Sequence, residues 1–291
     1  MIIYVFGGFS YIFFRDLKDN DFVFEYYYPF RMIKRYNCVM KTYKLKFLSG
    51  TLEFVVKEIK EKFPEVEIVK EDKEELQFES TEEIEVFRKL LSPTHISDGK
   101  KVLNLAKHEW RKGYIPAGIN PSLAYVMCMI ADFSPENILY DPFCGSSVIP
   151  IIALKHFNIK RAICSDISGN AISQSKINFE NAKIEENRYK LFQSDIKNVT
   201  LNKKNVDRIV SNLPFGIRTG SHEGNIGIYT DLERLADRLL RTKGKLVLLT
   251  QEKILLRKVF NKEKWNVKSI TTVNQGGLKP DIFLIERKAT S

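Results

Sequence analysis

From residue 138 onward the chain alternates short apolar runs with helix-length segments, and this alternation restricts its fold more than any other feature. NILYDPF, RAICSDI, YKLFQSDI, DRIVSNLPF and KLVLLTQ read as strands, while SVIPIIALKH and NAISQSKINFENAK read as helices between them. An apolar run of four to six residues without polar alternation suits a strand covered on both faces. That is the environment of a parallel sheet with helices above and below. The predicted class is α/β.

The residues before this region follow another pattern. Strand-like runs over 2–6, 22–28 and 39–47 lead into TLEFVVKEIKEKF. There Thr51 reads as an N-cap, and Leu52, Val55, Val56, Ile59 and Phe63 recur at helical spacing. Short strands over 66–69 and 76–78 and a second helix over 81–91 complete a small α+β unit. SPTHISDGKK, over 92–101, reads as a linker. The expected domains are therefore 1–95 and 96–291, with no internal repeat or low-complexity tract.

Composition matters here through charge. The net charge is +10, yet residues 1–95 carry 15 Lys+Arg against 17 Asp+Glu, while residues 96–291 carry 31 against 19. The basic excess belongs to the larger unit, as expected of a chain that meets an anionic polymer. Within the small unit, 28–47 is basic and aromatic, with Arg31, Lys34 and Arg35 among Tyr28, Phe30, Tyr36, Tyr43 and Phe47, whereas 65–85 is strongly acidic. The basic stretch fits phosphate contact with base stacking. It fits equally an amphipathic strand whose aromatics face a core. The opening MIIYVFGGFSYIFF reads as two strands around a turn, not as a signal peptide or membrane span. The four cysteines form no CxxC pair and none lies at ligand spacing from a histidine, so the expectation is a reduced, cytoplasmic chain without a metal.

In an open parallel sheet, ligands bind beyond the carboxyl ends of the strands, so the strand ends carry the functional reading. The first ends in DPFCGSS, whose small residues permit close approach of a ligand. The second ends at Asp166, 25 residues after Asp141, close to the spacing at which an acidic side chain takes ribose hydroxyls. The third ends at Asp195, placed to meet an adenine amine, and the fourth in NLPF. The first turn lacks GxGxxG, so a dinucleotide pyrophosphate would have no glycine cradle. A nucleoside ligand without phosphate needs none, and S-adenosylmethionine is one. Each strand end taken singly also fits a plain turn, cap or solvated carboxylate.

DPFCGS, the acidic strand end and NLPFG together resemble the THUMP-associated S-adenosylmethionine-dependent RNA guanine-N2 methyltransferases of tRNA and rRNA. RKGYIPAGINPSLAYVMCMIA resembles that family's helix before the first sheet strand, and VNQGGLKPDIFLIERK its closing antiparallel strands. The likeness covers about 108–288. It implies a Rossmann-like class I methyltransferase domain, with a mostly parallel sheet and a closing antiparallel strand, preceded by a small α+β domain. It implies S-adenosyl-L-methionine as cofactor, held by Pro116, Ala117, Asp141, Phe143, Cys144, Gly145, Ser146, Asp166, Ile167, Asp195, Ile196 and Asn212. The reacting turn would be Asn212, Leu213, Pro214 and Phe215, with Arg218, Arg111, Lys112, Arg31, Lys34 and Arg35 on RNA, most readily tRNA. The N-terminal unit would be a divergent or truncated THUMP-like RNA-binding domain.

The chemistry fits those residue types. The lone pair of a guanine N2 amine is delocalised into the ring, so the amine must be held and turned toward the methyl donor. An asparagine oxygen and the carbonyl after it can each accept one N–H. The same kind of turn serves adenine N6 in other amino-methyltransferases, and a catalytically silent RNA-binding relative is a further alternative. One departure stands out. Where the family continues DPFCGSGT, this chain reads Ser146, Ser147 and Val148, and a serine at 147 is penalised if that position needs positive φ.

Overall fold

A computed structural model describes residues 2–6, 9–15, 21–26, 36–116, 118–215, 222–274 and 276–288. β1 (Ile2–Phe6), β2 (Phe9–Arg15), β3 (Asp21–Tyr26) and β4 (Tyr36–Val39) form an antiparallel meander. A second antiparallel sheet follows from β5 (Lys41–Lys46), β6 (Glu67–Glu71), β7 (Glu75–Ser80), β8 (His95–Ser97) and β9 (Val102–Asn104). Its order is β6-β7-β5-β8-β9. α1 (Leu52–Lys62) and the residue after it place Val55, Ile59 and Phe63 in one core with Tyr43, Leu45, Leu76 and Phe78. Thr51 precedes α1, but its Oγ1 donates to the Leu48 carbonyl at 2.7 Å and caps no helix N–H.

Two expectations for this unit are corrected by the backbone. The helix expected over 81–91 is only a 3₁₀ segment, Ile84–Lys89. Ile84, Phe87 and Leu90 are the buried positions, and their spacing of three is the 3₁₀ period. The stretch read as a linker contains β8, which pairs with β5, and the turn into β9, where the Asp98 carboxylate accepts from the Lys100 and Lys101 N–H groups. The sheet of the small unit thus runs on to Asn104.

The larger unit carries α2 (Pro121–Ala131), β10 (Ile138–Asp141), α3 (Val148–His156), β11 (Arg161–Asp166), α4 (Gly169–Asn181) and β12 (Tyr189–Gln193). β13 (Val206–Asn212), α5 (His222–Leu239), β14 (Leu240–Thr250), α6 (Lys253–Val259), β15 (Trp265–Thr272) and β16 (Asp281–Arg287) complete it. The sheet order is β12-β11-β10-β13-β14-β16-β15. The first five strands run parallel, and β16 lies antiparallel to both its neighbours.

The apolar runs are explained by their two destinations. Leu139, Ala162, Cys164, Val210, Val247, Leu249 and Ile282 pack with α2 and α3 on one face. Their neighbours Tyr140, Ile163, Ile209, Leu246, Leu248 and Phe283 pack with α5 on the other. Successive strand residues point to opposite faces, and both faces are covered, so these strands are apolar apart from hydrogen-bonded residues such as Ser165 and Ser211.

Hydrogen bonds among the described residues tie the small unit to the larger one. Buried Glu58 of α1 accepts from the Leu91 and Ser92 N–H groups and from Ser92 Oγ, while Ser122 Oγ at the start of α2 donates to the Pro93 carbonyl at 2.7 Å. Thr271 Oγ1 donates to the Gly50 carbonyl at 2.7 Å. Gly50 has φ +88°, and a Cβ there would meet the Thr272 carbonyl oxygen at 2.1 Å, so only glycine fits the contact. Among the described residues, no helix is long and apolar enough to cross a membrane.

Candidate active site

β10 lies between β11 and β13, so the chain reverses its direction of strand addition there and leaves a crevice at their carboxyl ends. Asp141, Asp166 and Asn212 end these three strands. The loop from 141 to 147 is folded tightly over the crevice. Gly145 N–H donates to Asp166 Oδ2 at 2.9 Å, and Ser168 N–H donates to Oδ1 at 2.9 Å. Asp166 thus joins the first loop to the start of α4, and each of its oxygens has a lone pair left for a ligand. Cys144 N–H donates to the Ser165 carbonyl at 3.0 Å. The Cys144 side chain is buried, and Phe143 is half-buried against the α5 side of the core.

The residues that fix this loop come from α4, and sequence reasoning missed them. Ser175 Oγ donates to the Gly145 carbonyl at 2.7 Å and receives Ser147 Oγ at 2.8 Å. Asn178 Nδ2 donates to the Ser146 and Gly113 carbonyls, each at 2.9 Å, and Asn178 Oδ1 accepts from the Lys112 and Gly113 N–H groups at 2.9 and 2.7 Å. One side chain therefore joins the 112–113 segment to the 141–147 loop. A signal was present in NAISQSKINFENAK, where Ser175 and Asn178 share the helix's buried face with Ala171 and Phe179. Polar residues on a buried face hold something.

Ser147 takes φ +59° and ψ +33°, the left-handed conformation that glycine adopts freely. A serine there costs about 1–2 kcal/mol in backbone strain, against which its bond to Ser175 works. Ser147→Gly is expected to change stability by less than about 1 kcal/mol, because relief of strain offsets the lost bond and the freer unfolded chain. Ser147→Val combines a β-branched left-handed residue with loss of that bond and should cost roughly 2–4 kcal/mol. Equal melting temperatures for the two variants would contradict the strain account.

Asp141 is 2% exposed and accepts from Ser211 Oγ at 2.6 Å and Phe143 N–H at 3.2 Å. Burial pushes its carboxyl up to about 7, opposed by these two donors and reinforced by the Asp166 carboxylate. A raised folded pKa means that its stabilising contribution is present below the unfolded value near 4 and is lost as pH rises through about 7. Asp141→Asn keeps an oxygen for both donors and carries no charge, so stability should become flatter between pH 4 and 7. A series of melting temperatures checks this, and an unchanged slope would refute it.

The remaining sequence-derived positions spread around the crevice. Ile167 follows Asp166 and is 66% exposed, an apolar side chain in the open at a strand end. Asp195 caps the next turn, its Oδ1 accepting from Lys197 N–H at 3.1 Å, and Ile196 is buried beneath it. Ser146 is 2% exposed, and its Oγ has no hydrogen-bond partner among the described residues. Arg111 lies over the Tyr114 ring at 5.1 Å, beside exposed Lys112 and Pro116. His108 stacks on buried Trp110 with centroids 5.2 Å apart, as packing residues do. Ala117, Arg218, Arg31, Lys34 and Arg35 lie outside the described residues. In the basic stretch, Tyr43 and Phe47 are core residues, so of its two readings the amphipathic strand holds at these positions.

The turn after β13 has one unusual feature. Asn212 Oδ1 is buried without a hydrogen-bond partner among the described residues. Leu213 N–H donates to the Leu249 carbonyl at 3.0 Å, and the Pro214 carbonyl accepts from Tyr229 OH at 3.1 Å. Phe215 is half-buried against the α2 and α3 side of the core. Two hydrogen bonds thus fix residues 213 and 214, beside an acceptor that is unpartnered among the described residues.

The description RMKL-like methyltransferase domain, UPF0020, matches residues 108–281. The chain belongs to this family. Its methyltransferase domain has the class I fold: TrmN from Thermus thermophilus superposes with a TM-score of 0.74 at 15% identity, over 86% of this chain and 100% of that one. A second structure, SMU.472 with SAH, gives 0.69 at 14% identity over 87% and 99%. In sequence, tRNA (guanine(6)-N(2))-methyltransferase THUMP3 of Mus musculus is 29% identical over 187 residues, 60% of this chain and 37% of its own. The tRNA (guanine(6)-N2)-methyltransferase of Thermus thermophilus is 27% identical over 177 residues, 60% and 52%. U6 snRNA (guanine-N(2))-methyltransferase THUMPD2 of Bos taurus is 27% identical over 165 residues, 54% and 31%. The match thus spans about a third to a half of the length of these relatives. Among the described residues, no group of three or more His, Cys, Asp or Glu side chains could hold a metal ion.

Proposed function

We propose that the chain transfers a methyl group from S-adenosylmethionine to the exocyclic N2 amine of a guanosine in structured RNA, tRNA above all. The observation that carries this reading is the vacant Asn212 Oδ1 at the end of β13. The names of the relatives support it from outside the chain.

The crevice fits the cofactor on its own residues. Ser146 Oγ is a buried polar atom without a partner among the described residues. Gly145 has φ +54°, a left-handed conformation that glycine takes without strain, and its missing side chain keeps the loop backbone open to close approach. Asp166 would take the ribose hydroxyls with its remaining lone pairs, Asp195 the adenine amine, and Ile167 one face of the base. When bound, S-adenosylmethionine supplies an electrophilic methyl group on a sulfonium sulfur.

The turn does the rest by orientation. Asn212 Oδ1 accepts one amine N–H and the Leu213 carbonyl the other, which directs the nitrogen lone pair out of the turn and into the crevice. The Pro214 carbonyl accepts from Tyr229, which fixes the turn, and the Leu213 carbonyl, next to Asn212, is the acceptor we assign to this role. Phe215 offers a ring against which a base rotated out of the RNA can stack. Once methylated, the nitrogen carries an extra proton and is strongly acidic, so no strong general base is required.

The larger unit would carry this reaction and the small unit, whose sheet runs to Asn104, would bind RNA as a divergent or truncated THUMP-like module, with Arg111, Lys112, Arg218, Arg31, Lys34 and Arg35 on phosphates. We place the chain in the cytoplasm, where the buried free thiols of Cys128, Cys144 and Cys164 stay reduced. The test is transfer of labelled methyl from S-adenosylmethionine to unmodified tRNA and, in parallel, to DNA. Label in tRNA alone is the expected result, and label in DNA alone would overturn the RNA assignment.

A further inference from the structure

Asn225 sits in the first turn of α5 and is 1% exposed. Among the described residues, neither its Oδ1 nor its Nδ2 has a hydrogen-bond partner. A buried amide with both ends unmet is rare enough in a native fold to need a reason.

Its place on the helix supplies one. Asn225 precedes Tyr229 by four residues, so the two side chains share a face of α5. The Tyr229 hydroxyl reaches the Pro214 carbonyl at 3.1 Å and Thr250 Oγ1 at 2.6 Å, which pins that face to the turn carrying Asn212. Asn225 lies one turn, roughly 5–6 Å, nearer the start of α5. Because α5 follows β13, its start is at the carboxyl end of the strands, beside the crevice. Two asparagines with unmet acceptors therefore flank Pro214 in sequence, one anchored by β13 and one by α5.

Resting on the function proposed above, we infer that Asn225 reads the Watson–Crick edge of the guanine whose amine Asn212 holds. Next to its N2 amine, guanine presents N1–H and then O6, a donor beside an acceptor. A side-chain amide is the match, with Oδ1 accepting N1–H and Nδ2 donating to O6. Adenine held by its N6 amine would present N1, an acceptor, and then a C–H group. Asn225 could make one bond to it at most. The same side chain therefore aligns guanine and disfavours adenine, whereas Asn212 and Leu213 would accept either amine.

The test uses Asn225→Leu, which keeps the volume and removes both polar atoms, and two tRNA substrates. One carries guanosine at the methylated position, and the other carries 2-aminopurine riboside, which keeps the 2-amine but lacks N1–H and O6. The unaltered chain should prefer guanosine by roughly 10- to 100-fold in kcat/KM, the value of one bidentate base contact. The Leu variant should lose that preference while binding S-adenosylmethionine as before. It should also melt no lower, because among the described residues the Asn225 side chain makes no hydrogen bond. A variant that keeps the preference overturns the inference alone, and one that melts lower and keeps it marks Asn225 as structural. Absence of transfer to guanosine by the unaltered chain overturns the function along with it.

Discussion

Asn212→Ala is expected to lower methyl transfer by on the order of 10²–10³-fold, the usual cost of one positioned polar group at a reacting centre. The same change should leave affinity for S-adenosylmethionine nearly intact, because the proposed site gives the cofactor's ribose to Asp166 and its loop contacts to 141–147, and gives Asn212 the amine. It should lower the melting temperature little, because Asn212 Oδ1 accepts no hydrogen bond among the described residues. That last readout separates the two roles the residue could have. A structural asparagine loses stability on truncation, whereas one kept for a ligand loses only turnover. Unchanged methylation by this variant would end the mechanism proposed for the turn.

Asp166→Ala should act on the other half of the site. The carboxylate joins the Gly145 and Ser168 N–H groups, and the function proposed above gives its remaining lone pairs to the ribose. Hydrogen bonds to a charged group contribute about 1.5–3 kcal/mol each, so loss of two from a ribose implies at least a 100-fold weaker Kd. Release of the loop adds to this. Asp166→Asn keeps one acceptor oxygen and should fall between the two. Calorimetric titration with S-adenosylmethionine decides the matter, and near-normal affinity in the Ala variant would remove Asp166 from the cofactor site.

The parts of this structure that were legible in the sequence are those governed by burial on two faces. Leu139 beside Tyr140, and Val247 beside Leu248, belong to opposite cores, so the run had to be apolar throughout and announced a covered parallel strand. The strand ends were legible for a related reason: polar and small residues appear abruptly where the covering helices stop. The small unit was harder to read. Its 81–91 segment has the apolar content of a helix, and only the spacing of Ile84, Phe87 and Leu90 betrays the tighter winding. The supposed linker looked polar because its hairpin is short and its turn is Asp98-Gly99. Lys44 and Lys46 on one side of β5 and Tyr43, Leu45 and Phe47 on the other gave a basic and aromatic stretch whose rings are spent in the core.

The site itself was half visible. Asp166 and Asn212 stand at strand ends, where position alone marks them. Ser175 and Asn178 act at a distance of 30 or more residues in sequence from the Gly145 and Gly113 groups they hold, so their place on the buried face of α4 marks them as holding something without saying what. The departure at Ser147 was visible as a missing glycine, and the backbone accommodates it in the left-handed conformation with Ser175 as its partner.

The central claim is that the Asn212 turn presents a guanosine amine for methylation, and one measurement addresses it directly. Unmodified tRNA is incubated with the chain and labelled S-adenosylmethionine, then digested to nucleosides, and the labelled nucleoside is identified by mass spectrometry. The account predicts N2-methylguanosine. Label recovered as N6-methyladenosine, or RNA that binds and stays unlabelled, would contradict it.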